Sequence, residues 1–199
     1  MLLTDDDIIN LCMDKAGTGR VGMISPFSMQ QNTQAQDGGK AISYGLSSVG
    51  YDIRISRTIK IFQPGPNTVV VDPKRFDEAN LLRKFDIKTK YFELAPHGYV
   101  LGSSVERFEM PDTVSAICLS KSTYARCGIL CNTTPLEPGW TGHLTLELAN
   151  LTDLPVRIYV DEGIAQVQFW RHKRPHTTYA DRAGKYMNQD NEPVVPRTL

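Results

Sequence analysis

Between positions 41 and 170 the chain alternates short apolar runs with polar, Gly and Pro residues, a pattern typical of β-strands. Short strands that follow one another without long helical stretches favour a sandwich or barrel over repeated βαβ units. The pattern therefore predicts a mainly β fold. The predicted strands are 42–55, 58–62, 68–72, 90–94, 98–103, 114–119, 144–148, 156–160 and 164–170.

Helical patterns are short. Thr4, followed by three aspartates and an apolar run, predicts a capped N-terminal helix that Gly17 and Gly19 would end. The stretch from there to residue 39 is rich in Gln, Asn and Gly, so we expect a loop or a mobile arm. A further short helix is predicted between Phe76 and Leu82.

A polar segment of small residues runs from Ser120 to Gly128, and a glycine in that position is typical of a helix end. If the segment is helical, Ser122 and Arg126 lie on one face because they are four residues apart. The free N–H groups at its start, beside Lys121, would then form an anion site. This arrangement suits a phosphorylated ligand.

The strand predicted over 144–148 has leucines on one face and directs the carboxylate of Glu147 to the other. Glutamate is uncommon in strands. The carboxylate lies either on a solvated outer face or in a polar cleft, where it would act as an acid or base. The strand alone does not choose between these interpretations.

The composition of the chain changes after Trp170. Residues 171–174 are a basic cluster. Residues 179–189 are polar and aromatic, and their apolar side chains do not recur at the spacing of a buried helix or strand face. Composition favours a solvated terminal segment. The alternative is a lid that folds over an anionic ligand and supplies Lys185 and Gln189 to it.

Length and charge limit the possible functions. We interpret the 199 residues as one domain, with an N-terminal helix and arm (1–40), a β core (41–170) and a C-terminal segment (171–199). The 22 basic and 22 acidic residues balance, which argues against general binding of nucleic acid or membrane surfaces. The start is acidic, unlike a signal peptide, and no apolar run is long enough to span a membrane. We therefore expect a cytoplasmic protein.

Three separated motifs carry a resemblance to a known family. They are SKSTYARCGI at 120–129, PLEPGWTGHLTLE at 135–147 and YADRAGKY at 179–186. The segment ISYGLSSVGYDIR at 42–54 and the predicted N-terminal helix are part of the same resemblance. In this order, over nearly the whole chain, they resemble the dCTP deaminases of the dCTP deaminase/dUTPase superfamily.

The resemblance implies a distorted jelly-roll-like, dUTPase-like β-barrel that assembles as a homotrimer with active sites at subunit interfaces. It implies conversion of dCTP to dUTP and ammonia without zinc, Mg²⁺ bound through the triphosphate, and dTTP as a possible feedback inhibitor. Catalysis is assigned by resemblance to Glu147, Ser122 and Arg126. Substrate binding is assigned in the same way to Lys121, Ser122, Thr123, Arg126, Glu137, Tyr179, Lys185 and Gln189.

The chemistry of deamination fits these residue types. Hydrolysis at cytosine C4 requires deprotonation of a water, protonation of N3 and a further proton for the leaving amino group. Glu147 could shuttle these protons if a closed, partly dry pocket raises its pKa. Ser122 would hold the water, and Arg126 would orient it and stabilise the charge that develops at C4. An arginine close to Glu147 would lower the same pKa, and the sequence does not show which effect prevails.

The chain departs from its relatives at three positions. Ser120 stands where many relatives have Gly, so the turn there must accommodate a Cβ. Pro135 and Glu137 stand where some relatives have arginine and aspartate. Glu137 reaches one methylene further than aspartate, which bears on contacts with the sugar and base.

The cysteine pattern argues against a zinc site. Zinc-dependent nucleobase deaminases require a His or Cys beside a catalytic Glu and then a Pro-Cys-x-x-Cys motif. The sequence has neither, and its four cysteines form no CxxC pair. We expect Cys127 and Cys131 to be buried thiols in a reducing compartment rather than metal ligands.

Three other functions compete with a simple dCTP deaminase. A dUTPase would use an aspartate near position 137, would typically lack a glutamate at position 147 and would end in a Gly-rich phosphate motif. A bifunctional enzyme would carry dCTP on to dUMP. A non-catalytic β subunit would bind a nucleotide or protein while Glu147 remained a surface residue.

Overall fold

The computed structural model describes residues 1–13, 22–35 and 37–197. The described helices are α1 (Asp5–Cys12), α2 (Glu78–Leu81) and α3 (Ser122–Ala125). The described strands are β1 (Ile24–Ser25), β2 (Asn32–Gln34), β3 (Lys40–Ser47), β4 (Gly50–Arg54), β5 (Thr58–Phe62), β6 (Leu82–Asp86), β7 (Tyr91–Leu94), β8 (Tyr99–Glu109), β9 (Val114–Ser120), β10 (Ile129–Asn132), β11 (Thr141–Asn150), β12 (Val156–Tyr159) and β13 (Gly163–Arg171).

The strands form three antiparallel sheets. One has the order β10-β11-β8-β5-β6, with β1 also paired to β8, and a second has the order β2-β3-β4-β13-β9. Strands β7 and β12 form a separate pair. The predicted mainly β fold is confirmed. Alternation along the strands directs every second side chain into a shared core, where Ile53, Phe108, Leu146 and Phe169 are fully buried.

The predicted strand at 68–72 is wrong. Its valines at 69, 70 and 71 are 94, 70 and 50% exposed, and the Thr68 N–H instead closes a turn on the Gly65 carbonyl. The neighbouring edge of β5 is taken by β6, which has no apolar alternation and was not predicted. A strand needs a partner as well as β-prone residues, so composition alone misplaced this one.

The N-terminal helix begins as predicted, with a capping box between Thr4 and Asp7. It ends at Cys12, and Gly17 and Gly19 lie outside the described residues. Part of the stretch expected to be a loop or arm is in strands, because β1 pairs with β8 and β2 with β3. None of the described helices has the length and apolarity needed to cross a membrane.

Candidate active site

Strand β11 positions Glu147 in a cavity of about 650 Å³. The even positions of β11 carry the core leucines, so the odd positions face the other way. Glu147 is half-buried, and the wall beside it includes strand β8 and the C-terminal segment. Of the two interpretations of Glu147 left open by the sequence, the structure therefore supports the cleft.

The surroundings of Glu147 act on its pKa in opposite directions. Burial raises the pKa of the carboxyl above its ordinary value, which is the larger effect. The Asn132 side-chain amide donates a 2.8 Å hydrogen bond to Oε2 and lowers the pKa in part. The net result is a carboxylate with increased proton affinity, as a group that takes and returns protons requires.

An aromatic wall faces the same cavity and was not anticipated from the sequence. Tyr99 packs edge-on against Phe62 at 5.1 Å between ring centroids, and Phe62 packs against Phe76 at 6.2 Å. Tyr99 lies diagonally across the β8–β11 ladder from Glu147, and burial together with that negative charge raises the pKa of its phenol. Flat apolar rings beside a carboxylate suit a heterocyclic base.

The C-terminal segment packs on the β core, although its composition favoured a solvated tail. The Trp140 indole donates to the Tyr186 carbonyl at 2.8 Å, and the Tyr179 hydroxyl accepts from the Tyr186 N–H at 3.0 Å. The His143 N–H donates to the Gln189 carbonyl at 2.9 Å, and Gln189 is only 9% exposed. The segment thus forms one side of the cavity.

Four of the predicted substrate-binding residues line this cavity together with Glu147. They are Glu137, Tyr179, Lys185 and Gln189. Within the chain, the charged end of Glu137 pairs with Arg182, and Lys185 Nζ donates to the Arg197 carbonyl at 2.9 Å. Lys185 also lies 5.2 Å from the centre of the Tyr186 ring.

The other predicted residues follow β9. The predicted helical turn is confirmed as α3, which ends at Ala125. The turns that follow it stop at Gly128, as predicted, where φ is left-handed at 77°. A Cβ at Gly128 would lie 2.2 Å from Thr152 Cγ2, so the turn requires glycine there. Ser122, the first residue of α3, and Arg126, directly after its last residue, are exposed.

Lys121, at the start of this segment, forms a nearly buried ion pair with Asp52. The two side chains are 12% and 6% exposed. Asp52 also accepts hydrogen bonds of 3.2 Å from the side-chain amides of Gln31 and Gln166. Sequence reasoning missed this cluster, because its members are far apart in the chain and none has a local signal.

Within one chain, the predicted catalytic and substrate-binding residues do not all lie around the same cavity. Among the residues that the structure describes, the wall of the Glu147 cavity includes none of Lys121, Ser122, Thr123 and Arg126. The predicted site is therefore divided into a group on the cavity wall and a group beside α3.

The cysteines are free thiols. Burial raises the pKa of Cys12 and of Cys118 to about 12, and it raises the pKa of Cys131 well above its ordinary value. Cys127 is exposed, so its predicted burial is wrong, whereas the burial of Cys131 is confirmed. Within the described ranges, no group of three or more His, Cys, Asp or Glu side chains is arranged to hold a metal ion.

Known proteins resemble this chain over most of its length. The family model described as dCTP deaminase-like matches residues 3–172. A dCTP deaminase of Erythrobacter litoralis (strain HTCC2594) is 52% identical over 169 residues, which cover 84% of this chain and 87% of that protein. A dCTP deaminase of Paraburkholderia xenovorans (strain LB400) is 48% identical over 177 residues, covering 88% and 91%.

A partial likeness to a solved structure was also found. The crystal structure of 2'-deoxycytidine 5'-triphosphate deaminase from Agrobacterium tumefaciens has a TM-score of 0.49 and 22% identity, covering 62% of this chain and 39% of that one.

Proposed function

The chain belongs to the dCTP deaminase-like family, and we propose that it is an enzyme that deaminates dCTP to dUTP and ammonia. The observation that carries this function is Glu147. It is a carboxyl whose pKa is raised by burial, and it lies in a cavity with an aromatic wall and a cationic side chain, Lys185. These groups suit a pyrimidine base at one end and phosphates at the other.

Glu147 moves the protons of the reaction. As a water attacks C4 of cytosine, the carboxylate accepts the proton of that water. The carboxyl then donates that proton to N3. It next takes the proton of the new C4 hydroxyl and passes it to the amino group, which leaves as ammonia while the C4 carbonyl forms. Because Asn132 binds Oε2, that oxygen is held in place while the other carboxylate oxygen is available to the water.

Ser122 and Arg126 complete the site from a second copy of the chain in a homotrimer. In one chain they are exposed at the two ends of α3 and do not line the cavity, so the acid-base set needs a neighbour. The outer faces of β9 and β10, which flank α3, support such an interface. They expose an apolar patch consisting of Ile117, Leu119 and Leu130. Ser122 then holds the water, and Arg126 stabilises the charge that develops at C4.

The phosphates are bound by cationic and hydroxyl groups. Lys185 acts from the C-terminal segment, and Lys121 and Thr123 act from the neighbouring chain. Mg²⁺ bound to the triphosphate would neutralise part of the phosphate charge. Asp52 is not counted among the ligands of such an ion, because its carboxylate already pairs with Lys121 and accepts hydrogen bonds from Gln31 and Gln166.

Glu137, Tyr179 and Gln189 contact the base and sugar from the cavity wall. The protein functions as a single domain whose C-terminal segment, residues 171–199, is the lid on one side of the nucleotide. Its four free thiols support a reducing, cytoplasmic location. dTTP competes for the same cavity as a feedback inhibitor, so dCTP turnover unchanged by excess dTTP would remove that part of the proposal.

The test is incubation of the purified protein with dCTP and Mg²⁺, followed by chromatographic separation of dCTP, dUTP and dUMP. A second sample is first freed of zinc with a chelator and then given Mg²⁺. Accumulation of dUTP at the same rate in both samples is expected. Formation of dUMP and pyrophosphate from dCTP would instead establish a bifunctional enzyme. Turnover of added dUTP but not of dCTP would overturn the proposed function and the role of Glu147.

A further inference from the structure

Thr145 connects the strand of Glu147 to the C-terminal segment. It lies two residues before Glu147 on the same face of β11 and lines the same cavity. Its hydroxyl donates a 2.8 Å hydrogen bond to Gln189 Oε1 and accepts one of 3.1 Å from the Val194 N–H. One hydroxyl therefore binds the segment at two points, five residues apart.

Other contacts determine where the segment lies, and Thr145 makes the shorter of the two hydrogen bonds on the Gln189 side chain. The Gln189 carbonyl accepts from the His143 N–H, which fixes its backbone beside β11. The side-chain amide of Gln189 donates to the Tyr186 carbonyl at a longer distance of 3.3 Å. The shorter bond from Thr145 holds the other end of that amide group.

The second contact holds the outer wall of the cavity. Val194 and Pro196 line the cavity, and Val195 packs on a small apolar cluster that includes Leu82 and Leu101. The Val194 N–H would lose its described partner without the Thr145 hydroxyl. A partly buried N–H without a partner is costly, so loss of the hydroxyl should loosen this wall.

We propose that Thr145 is a positioning residue: its hydroxyl orients Gln189 and holds residues 189–194 against the strand of Glu147, so that the nucleotide cavity is formed before substrate enters. The inference rests on the proposed function, because it assigns Gln189 to the nucleotide. Thr145 itself takes no part in proton transfer. A pre-formed wall lowers the entropy that substrate binding must otherwise remove.

The kinetic test compares Thr145→Val, which keeps the shape but removes the hydroxyl, with Thr145→Ser, which keeps the hydroxyl. In Thr145→Val we expect the KM for dCTP to rise about tenfold, equivalent to about 1.4 kcal/mol, with a smaller change in kcat. Thr145→Ser should remain close to the wild type. Thr89→Val is the matched control, because Thr89 is exposed and its hydroxyl donates only to the Tyr91 carbonyl in the described structure.

A second measurement does not depend on catalysis. Amide hydrogen exchange of residues 187–197 in the nucleotide-free protein should be about tenfold faster in Thr145→Val, with the Val194 amide most affected. Thr145→Ser and Thr89→Val should exchange as the wild type does.

The proposal is overturned if Thr145→Val keeps both the wild-type KM and the wild-type exchange rate, or if exchange accelerates while KM stays unchanged. It is also overturned if Thr145→Ser reproduces Thr145→Val, because packing of the methyl group would then explain the effect. If the wild-type protein does not turn over dCTP, the proposed function fails, and exchange alone still decides whether the hydroxyl holds the segment.

Discussion

Asn132 and Glu147 are paired directly across the ladder between β10 and β11, and the Asn132 amide donates a 2.8 Å hydrogen bond to the Glu147 carboxylate. The bond stabilises the ionised form of Glu147, whereas burial favours the neutral form. The balance between these two effects determines the pH range in which Glu147 can accept a proton.

Replacing Asn132 by alanine should shift the acidic limb of the activity profile to higher pH. Without the hydrogen bond, the pKa of Glu147 rises further, so a smaller fraction is ionised at a given acidic pH. We expect kcat/KM on that limb to fall about twofold to fivefold, with less change at neutral pH. Steady-state rates measured across the pH range test this. An acidic limb that stays in place or moves to lower pH would contradict it.

Glu147→Gln should fold and bind dCTP but lose turnover by about 10²- to 10⁴-fold, because an amide cannot accept the proton of the water. Thermal unfolding and calorimetric titration with dCTP establish folding and binding, and product formation gives kcat. Thr89→Val is a suitable control for the purification. Substantial residual turnover in Glu147→Gln would exclude the proposed role of the carboxylate.

Mixed trimers test whether the site is shared between chains. Glu147→Gln and Arg126→Ala should each be inactive alone. When the two are coexpressed in equal amounts, about a quarter of the sites should combine an intact Glu147 from one chain with an intact Arg126 from the next. Turnover should recover to about that fraction of the wild-type value.

The control for this experiment mixes Arg126→Ala with Ser122→Ala. In the proposed trimer, the Ser122 and Arg126 of any one site come from the same neighbouring chain. Every chain in this mixture lacks one of the two, so no site has both intact. Recovery is therefore not expected. Failure of the first mixture to recover would mean that Glu147 and Arg126 act within one chain.

Glu192 should strengthen the packing of the C-terminal segment on the β core. It pairs with Lys84 at 2.8 Å and with Lys60 at 3.4 Å, and the Lys60 side chain is only 9% exposed. The hydrogen bond from Lys84 is the main cause of the lowered pKa of Glu192. The stabilisation it provides is therefore present above the ordinary pKa of a glutamate and is lost as the pH falls through the lowered value.

Glu192→Gln should raise the KM for dCTP about twofold to fivefold near neutral pH, a modest effect because Glu192 is partly exposed to solvent. Added salt should raise the wild-type KM more than that of the variant. Glu192→Asp, which keeps the charge, is the matched control. Equal salt dependence in the wild type and Glu192→Gln would show that the ion pairs do not contribute to holding the segment in place.

The features that could be predicted from the sequence are local. The alternation of leucines around Glu147 predicted the face from which the carboxylate projects, and Gly128 predicted the end of the helical turn that carries Ser122. In both cases the determining residues lie within a few positions of one another. Strand β10 was missed because its alternation spans only four residues.

The contacts that could not be predicted join distant parts of the chain. Lys121 meets Asp52, which is 69 residues away, and Thr145 meets Gln189, which is 44 residues away. Neither pair has a periodic signal, because each depends on how whole strands and the C-terminal segment pack. Composition favoured a solvated segment, since the hydrogen bonds that hold it are made largely by backbone and polar groups.

Strand β11 separates two requirements that many enzymes must satisfy with the same residues. Leu146 and Leu148 are fully buried in the core, whereas Thr145 and Glu147 face the nucleotide cavity. A directed-evolution library aimed at a different nucleobase can therefore vary position 145 together with the facing rings of Tyr99 and Phe76. Such a library would leave the core leucines intact, so most of its members should remain folded.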